Sequence, residues 1–120
     1  MYPEEFIKKL KEQILDDNLM IYKQIYESTI IDKKVEKDPY YGDAVVFYRS
    51  LPTKQKEIIF KIIQQTIIDT TSTILGIIDG PVSLEGVYGD FILTYKAPNE
   101  IETILSDDLQ TYFLNAVYLD

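Results

Sequence analysis

Between Pro52 and Pro81 the chain reads Thr-Lys-Gln-Lys-Glu-Ile-Ile-Phe-Lys-Ile-Ile-Gln-Gln-Thr-Ile-Ile-Asp-Thr-Thr-Ser-Thr-Ile-Leu-Gly-Ile-Ile-Asp-Gly. On a helical wheel Lys54, Glu57, Lys61, Gln64 and Gln65 share one arc, and Ile58, Ile59, Ile62, Ile63, Ile67 and Ile74 cover the opposite one. Ile68 and Leu75 then occupy the arc that was polar earlier. The later half is therefore apolar nearly all round and is expected to be buried. Thr70, Thr71 and Thr73 are poor helix formers, so packing must hold this part helical. Thr53 can cap the start, and Gly76 or Asp79-Gly80-Pro81 can end it. The sequence thus predicts a long central helix around which a small domain is built.

The other segments follow from the same kind of pattern. Pro3 with Glu4 and Glu5 is a helix start. Phe6, Ile7, Leu10, Ile14, Ile21 and Ile25 follow at helical period, and a second stripe of Leu15, Leu19, Tyr22, Tyr26 and Ile30 opens later. Either one helix continues, or Asp16-Asp17-Asn18 breaks it with Asn18 capping a second piece; the continuous helix is preferred. Lys33 to Lys37 reads as a charged connector. Asp38-Pro39 starts another helix that ends before Pro52, with Tyr40, Ala44, Phe47, Tyr48 and Leu51 as its stripe. After Pro81 the texture becomes strand-like. Val82–Glu85 and Phe91–Tyr95 suggest a hairpin across the turn Gly86–Asp90, and Ile101–Leu105 offers a third strand after Ala97-Pro98-Asn99. Ser106-Asp107-Asp108 begins a final helix. The expected fold is a single α+β domain over 1–120, mainly α, with three to four helices, a small antiparallel sheet and a C-terminal helix.

Composition removes whole classes of chemistry. The chain has 120 residues, no Cys and no His. Disulfides are excluded, and so are histidine-based triads, an imidazole proton shuttle and zinc sites with His or Cys ligands. No cofactor is indicated. Asp79, Glu85, Asp90, Asp107 and Asp108 lie at turns and element ends, but their spacing matches no calcium loop, so no metal is expected. The Gly86-Val87-Tyr88-Gly89 turn lacks the spacing and strand-to-helix context of a phosphate loop. The first residues carry acids where a signal peptide needs bases, and no run approaches the ~20 apolar residues of a membrane span. A cytoplasmic location is expected.

Net charge is -8, from 12 basic and 20 acidic residues. That balance disfavours nucleic acid and anionic membranes as partners and favours a basic protein; it also serves solubility. Bases are almost absent after Lys61, Lys96 excepted. Asp79, Glu85, Asp90 and Tyr88 are therefore the candidate partner-binding residues. Tyr88 lies beside a turn, and tyrosine gives rigid contact area with a hydroxyl. Asp69, seven residues after Ile62, is placed on the apolar side of the central helix, where a buried acid needs a partner. Arg49, the only arginine, is the natural one, with Glu57 competing for it. Backbone amides or Thr and Tyr hydroxyls would serve Asp69 equally, and a functional acid is the alternative.

The pattern Asp69-Thr70-Thr71-Ser72, Leu75-Gly76, Asp79-Gly80, Gly89-Asp90-Phe91-x-Leu93 and Asp108-Leu109-Gln110-x-x-Phe113-Leu114 resembles a family of small uncharacterised bacterial proteins. The resemblance covers about the latter two-thirds of the chain and implies no catalytic residues. In size and charge the chain also looks like immunity proteins, which neutralise a toxin by binding it. The expected function is non-enzymatic protein binding. The alternative is a small enzyme or ligand-binding domain built around Asp69.

Overall fold

Pro3 occupies the start of a helix whose first turn carries Glu4 and Glu5, where a missing amide costs nothing and acids complement the dipole. In a computed structural model, which describes residues 1–119, helical backbone continues from there to Ser28. It comprises α1 (Pro3–Lys11), a π-helical turn over Glu12–Asp17, and α2 (Asn18–Ser28). Lys11, Glu12, Asp17 and Asn18 all hold right-handed helical dihedrals, so Asp16-Asp17-Asn18 does not break the run. Lys11 and Asp16 form an ion pair of 3.0 Å across the π-turn.

The π-turn explains the two overlapping stripes. Each π-turn adds one residue to a helix, which displaces the following side chains by roughly 100°. Ile7 and Leu15 are buried on either side of its start, and Leu19 packs against the same core. Beyond it the second stripe takes over in part, since Ile25 of the first stays half-buried and Ile30 of the second is 82% exposed. Tyr22 and Tyr26 are half-buried, whereas Ile21, which continues the first stripe in the sequence, is 50% exposed.

The next elements are α3 (Lys33–Glu36), α4 (Gly42–Ser50) and α5 (Thr53–Asp79). The segment expected to be a connector therefore holds one short helical turn, capped by Asp32, whose carboxylate accepts from the Val35 amide at 2.9 Å. Asp38 does not start α4 directly. Its Oδ1 accepts from the amides of Tyr40 (2.8 Å) and Tyr41 (3.0 Å), an Asx-type turn that delays the helix to Gly42. Pro52 ends α4 and precedes α5, and left-handed Gly80 (φ 109°) closes α5 with its amide on Gly76 O at 3.0 Å.

The hairpin joins β1 (Thr94–Tyr95) to β2 (Thr103–Ile104), antiparallel, with Thr94 opposite Ile104. It turns at Ala97–Asn99 rather than at Gly86–Asp90. Val82–Glu85, expected as a strand, is irregular, because the Val87 amide turns back onto Leu84 O (3.1 Å) and Gly86 is left-handed. The Leu105 amide reaches Leu93 O at 2.8 Å and so extends the pairing by one bond. α6 (Leu109–Tyr118) completes a mainly helical α+β fold.

Packing falls into two centres. The larger core joins Ile7, Leu15, Ile68, Leu75, Leu105, Leu109 and Phe113, and places α6 against α1 and the C-terminal half of α5. The smaller one holds α2, α4 and the N-terminal half of α5 through the rings of Tyr26, Tyr48 and Phe60, with centroids 5.3 to 6.3 Å apart. Such tilted and edge-on pairs are the favoured aromatic geometries. The C-terminal half of α5 is not buried all round. Ile68, Thr71, Leu75 and Gly76 face the core, while Thr70, Thr73 and Ile74 are exposed. The solvent-side hydroxyls of Thr66 and Thr73 bond back to Ile62 O (2.7 Å) and Asp69 O (2.9 Å) within the helix.

Asp69 is exposed, which corrects its expected burial. It does share a face with Ile62, but Ile62 is itself 57% exposed, so the shared face is the outer one. Its carboxylate accepts from Gln65 Nε2 at 2.8 Å. Arg49 does not reach it, since Asp69 lies sixteen residues into α5, roughly 24 Å along the axis. Arg49 is half-buried and donates from Nε to Tyr26 O at 2.8 Å, tying α4 to the last turns of α2.

Among the described residues no helix is long and apolar enough to cross a membrane.

Candidate functional site

The end of α5 and the irregular segment after it enclose a cleft of about 590 Å³. Its floor is the last turn of α5, Ile77 to Gly80. One wall runs from Val82 to Leu84 and the other from Val87 to Ile92, with Asp107 closing the side nearest α6. The cleft exists because Gly80 reverses the chain after α5 and Gly86, at φ 79°, reverses it again. Neither turn is open to an L side chain without strain.

Three acids line this space: Asp79, Asp90 and Asp107. No Lys or Arg lines it. Tyr88 stands at the rim, 96% exposed. Leu84, Val87, Phe91 and Ile92 add apolar side chains to the walls, alongside Val82, Ser83 and Gly89. The site therefore offers a mainly polar, negatively charged lining with some apolar side chains and one aromatic handle, which suits a cationic ligand.

Asp79 is the best-fixed acid. Its Oδ2 accepts the amide of Gln110, in the first turn of α6, at 2.8 Å. It thus caps α6 from a neighbouring helix, and Asp108 at the N-cap position makes no side-chain cap bond. Its Oδ1 is buried without a hydrogen-bond partner among the described residues. Gln110 is held in turn by Ser72, whose carbonyl and hydroxyl oxygens accept from Nε2 at 3.0 and 3.2 Å. Gly76 leaves the room for this side chain. A Cβ there would sit 2.7 Å from Gln110 Nε2 and 2.7 Å from Val82 Cγ2.

Of the sequence candidates, the structure brings Asp79, Tyr88 and Asp90 together. Glu85 is exposed on the same loop but outside the lining. Asp69 and Arg49 lie on other surfaces. Sequence reasoning counted Asp107 among the acids of the later half and read it as a helix-start acid, but did not make it a candidate partner-binding residue, and it gave no role to Gln110. The signal for both was the Asp79-Gly80 and Asp107-Asp108-Leu109-Gln110 pair of motifs, in which one acid end meets one helix start.

A second titratable cluster lies in the smaller packing centre. The Tyr48 phenol donates to Glu27 Oε1 at 3.0 Å. Burial, then the hydrogen bond to Glu27 and its negative charge, push the phenol up to about 12. The Lys56 ammonium stands 5.4 Å from the Tyr48 ring centroid. This constellation is accounted for by packing of α2, α4 and α5. Among the described residues no three His, Cys, Asp or Glu side chains gather as metal ligands.

Comparison with protein-family models, with curated proteins and with solved structures finds no match to this chain.

Proposed function

We propose that this chain acts by binding a basic protein, in the manner of an immunity protein, and that the acidic cleft is the contact centre. One observation carries the reading. Residues 1–61 hold eleven bases and eleven acids, whereas residues 62–120 hold one base and nine acids, so the whole net charge of -8 belongs to the second half. Three of those acids surround a concave space with an exposed tyrosine at its rim. Charge of one sign in a cleft speeds encounter with an oppositely charged protein, and the aromatic and apolar groups hold it once docked. The rival reading, an enzyme or ligand site built on Asp69, loses its motive because that carboxylate is exposed and bonded to Gln65.

The test is capture of binding proteins from the native host, followed by kinetics with the purified partner. The partner is expected to be basic. Its on-rate should fall as salt rises from about 50 to 500 mM, because the Debye length shrinks severalfold. Asp90→Asn with Asp107→Asn should slow association, and Tyr88→Ala should speed dissociation about 10-fold or more. An acidic partner, or kinetics indifferent to salt and to Tyr88, would overturn the reading.

A further inference from the structure

One wall of the acidic cleft is unpaired main chain. Among the described residues, no amide or carbonyl of Tyr88, Gly89, Asp90, Phe91 or Ile92 makes a hydrogen bond within the chain. The ladder with β2 stops at Leu93. The Leu93 carbonyl takes the Leu105 amide at 2.8 Å, but the Leu93 amide goes to Ser106 Oγ at 3.1 Å, a side chain in the place of a strand. Beyond that point the chain of β2 turns away at Asp107 and Asp108 into α6. From Asp90 to Tyr95 the backbone has no bend. The unpaired segment therefore continues the line of β1 along the cleft.

A bare strand edge draws other strands, and folded proteins usually blunt one with Lys, Pro, a bulge or a covering loop. Residues 88–95 contain no Lys and no Pro, and their only charge is Asp90. Phe91 and Ile92 are 46% and 69% exposed. The sheet has only two strands, the marginal size, and a third would strengthen it. Charge at this same place selects what can be added. The cleft is lined by Asp79, Asp90 and Asp107 and by no Lys or Arg. An acidic strand is repelled there and a basic one is attracted.

We propose that the basic partner lays an extended segment along this wall as an added strand. Its main chain pairs with Asp90, Phe91 and Ile92, and its cationic side chains face the acids of the cleft. The proposal rests on the binding reading above and adds the form of what is bound: a strand rather than a helix face.

The test uses the purified full chain and a capped peptide of alternating lysine and valine, about seven residues long, enough to span the segment. Two further peptides carry N-methyl groups on alternate amides, one on the odd and one on the even residues, with the charge unchanged. An added strand bonds to its neighbour through every second residue only. One methylated peptide should therefore lose affinity about 10-fold or more, and the other should bind like the parent. In the parent complex, amide exchange read by NMR should slow within residues 90–92 and not in α2. Two methylated peptides that bind alike would overturn the strand contact and leave acidic docking standing. A parent peptide that fails to bind up to about 1 mM also overturns the strand contact, and the captured partner then decides the broader reading alone. A peptide with glutamate in place of lysine that binds as well as the parent sinks both.

Discussion

Tyr48 is the residue whose environment departs furthest from that of a free side chain. Burial and the Glu27 carboxylate hold its phenol neutral up to about 12 against an ordinary 10.0. Between those values the unfolded chain has lost the proton and the folded one keeps it. The associated stability is therefore complete below about pH 10 and is lost as pH rises toward 12, on the order of 2 kcal/mol in all. Burial pushes Tyr26 up as well, and the negative charge of Glu4 pushes Tyr112 the same way, so the alkaline decline has more than one source. Tyr48→Phe should lower stability near neutral pH by about 1 kcal/mol, the worth of one hydrogen bond. It should also flatten the decline above pH 10. Urea unfolding of both proteins at neutral and alkaline pH checks this, and an equally steep decline in the variant would refute it.

At the scale of elements, α5 separates what its own pattern specifies from what other elements impose on it. Asp69→Ala should change stability by less than about 0.5 kcal/mol, as is usual for an exposed position. Gly76→Ala should lower it by about 1 kcal/mol, because the crowding of Gln110 and Val82 outweighs the roughly 1 kcal/mol that alanine gains in a helix. Combined with Gln110→Ala, the same change should cost less, because only the Val82 contact is then crowded, a coupling that a double-mutant cycle of thermal or urea melts would measure. The helix itself was legible from periodicity and from Pro52 and Gly80 at its ends. Which of its faces is inner was not. The isoleucines fall on more than one arc, and the choice between arcs is made by α6 and the π-turn at Glu12–Asp17, both remote in sequence. The hairpin was misplaced for a similar reason: glycines at 86 and 89 signal a turn equally well whether strands or cleft walls flank it. The cleft was legible only as a list of acids and one tyrosine. Its concavity depends on two left-handed glycines and on the capping of α6 by Asp79, which are tertiary facts.

The whole molecule is longer than its chain length requires, with a radius of gyration of 18.4 Å and extents of 51 × 36 × 30 Å. A compact chain of this size has about 14 Å. Protection should be uneven to match. Amides of α2, which has no buried residue, should exchange with solvent well before those of α6, anchored by Leu109 and Phe113. Hydrogen exchange read by mass spectrometry tests this, and uniform protection across the two helices would contradict it. The first helix takes part in both packing centres, and its π-turn lets it present a different side to each. The consequence concerns length rather than identity. Substitutions on its outer side should be widely accepted, but losing a single residue anywhere in Glu12–Asp17 would restore a regular helix and swing everything downstream by roughly 100°. Tyr22 and Tyr26 would then point away from α5 with every downstream side chain still present. The segment works as a phase-setter, and a gap of one in that stretch is a heavier lesion than several replacements beside it.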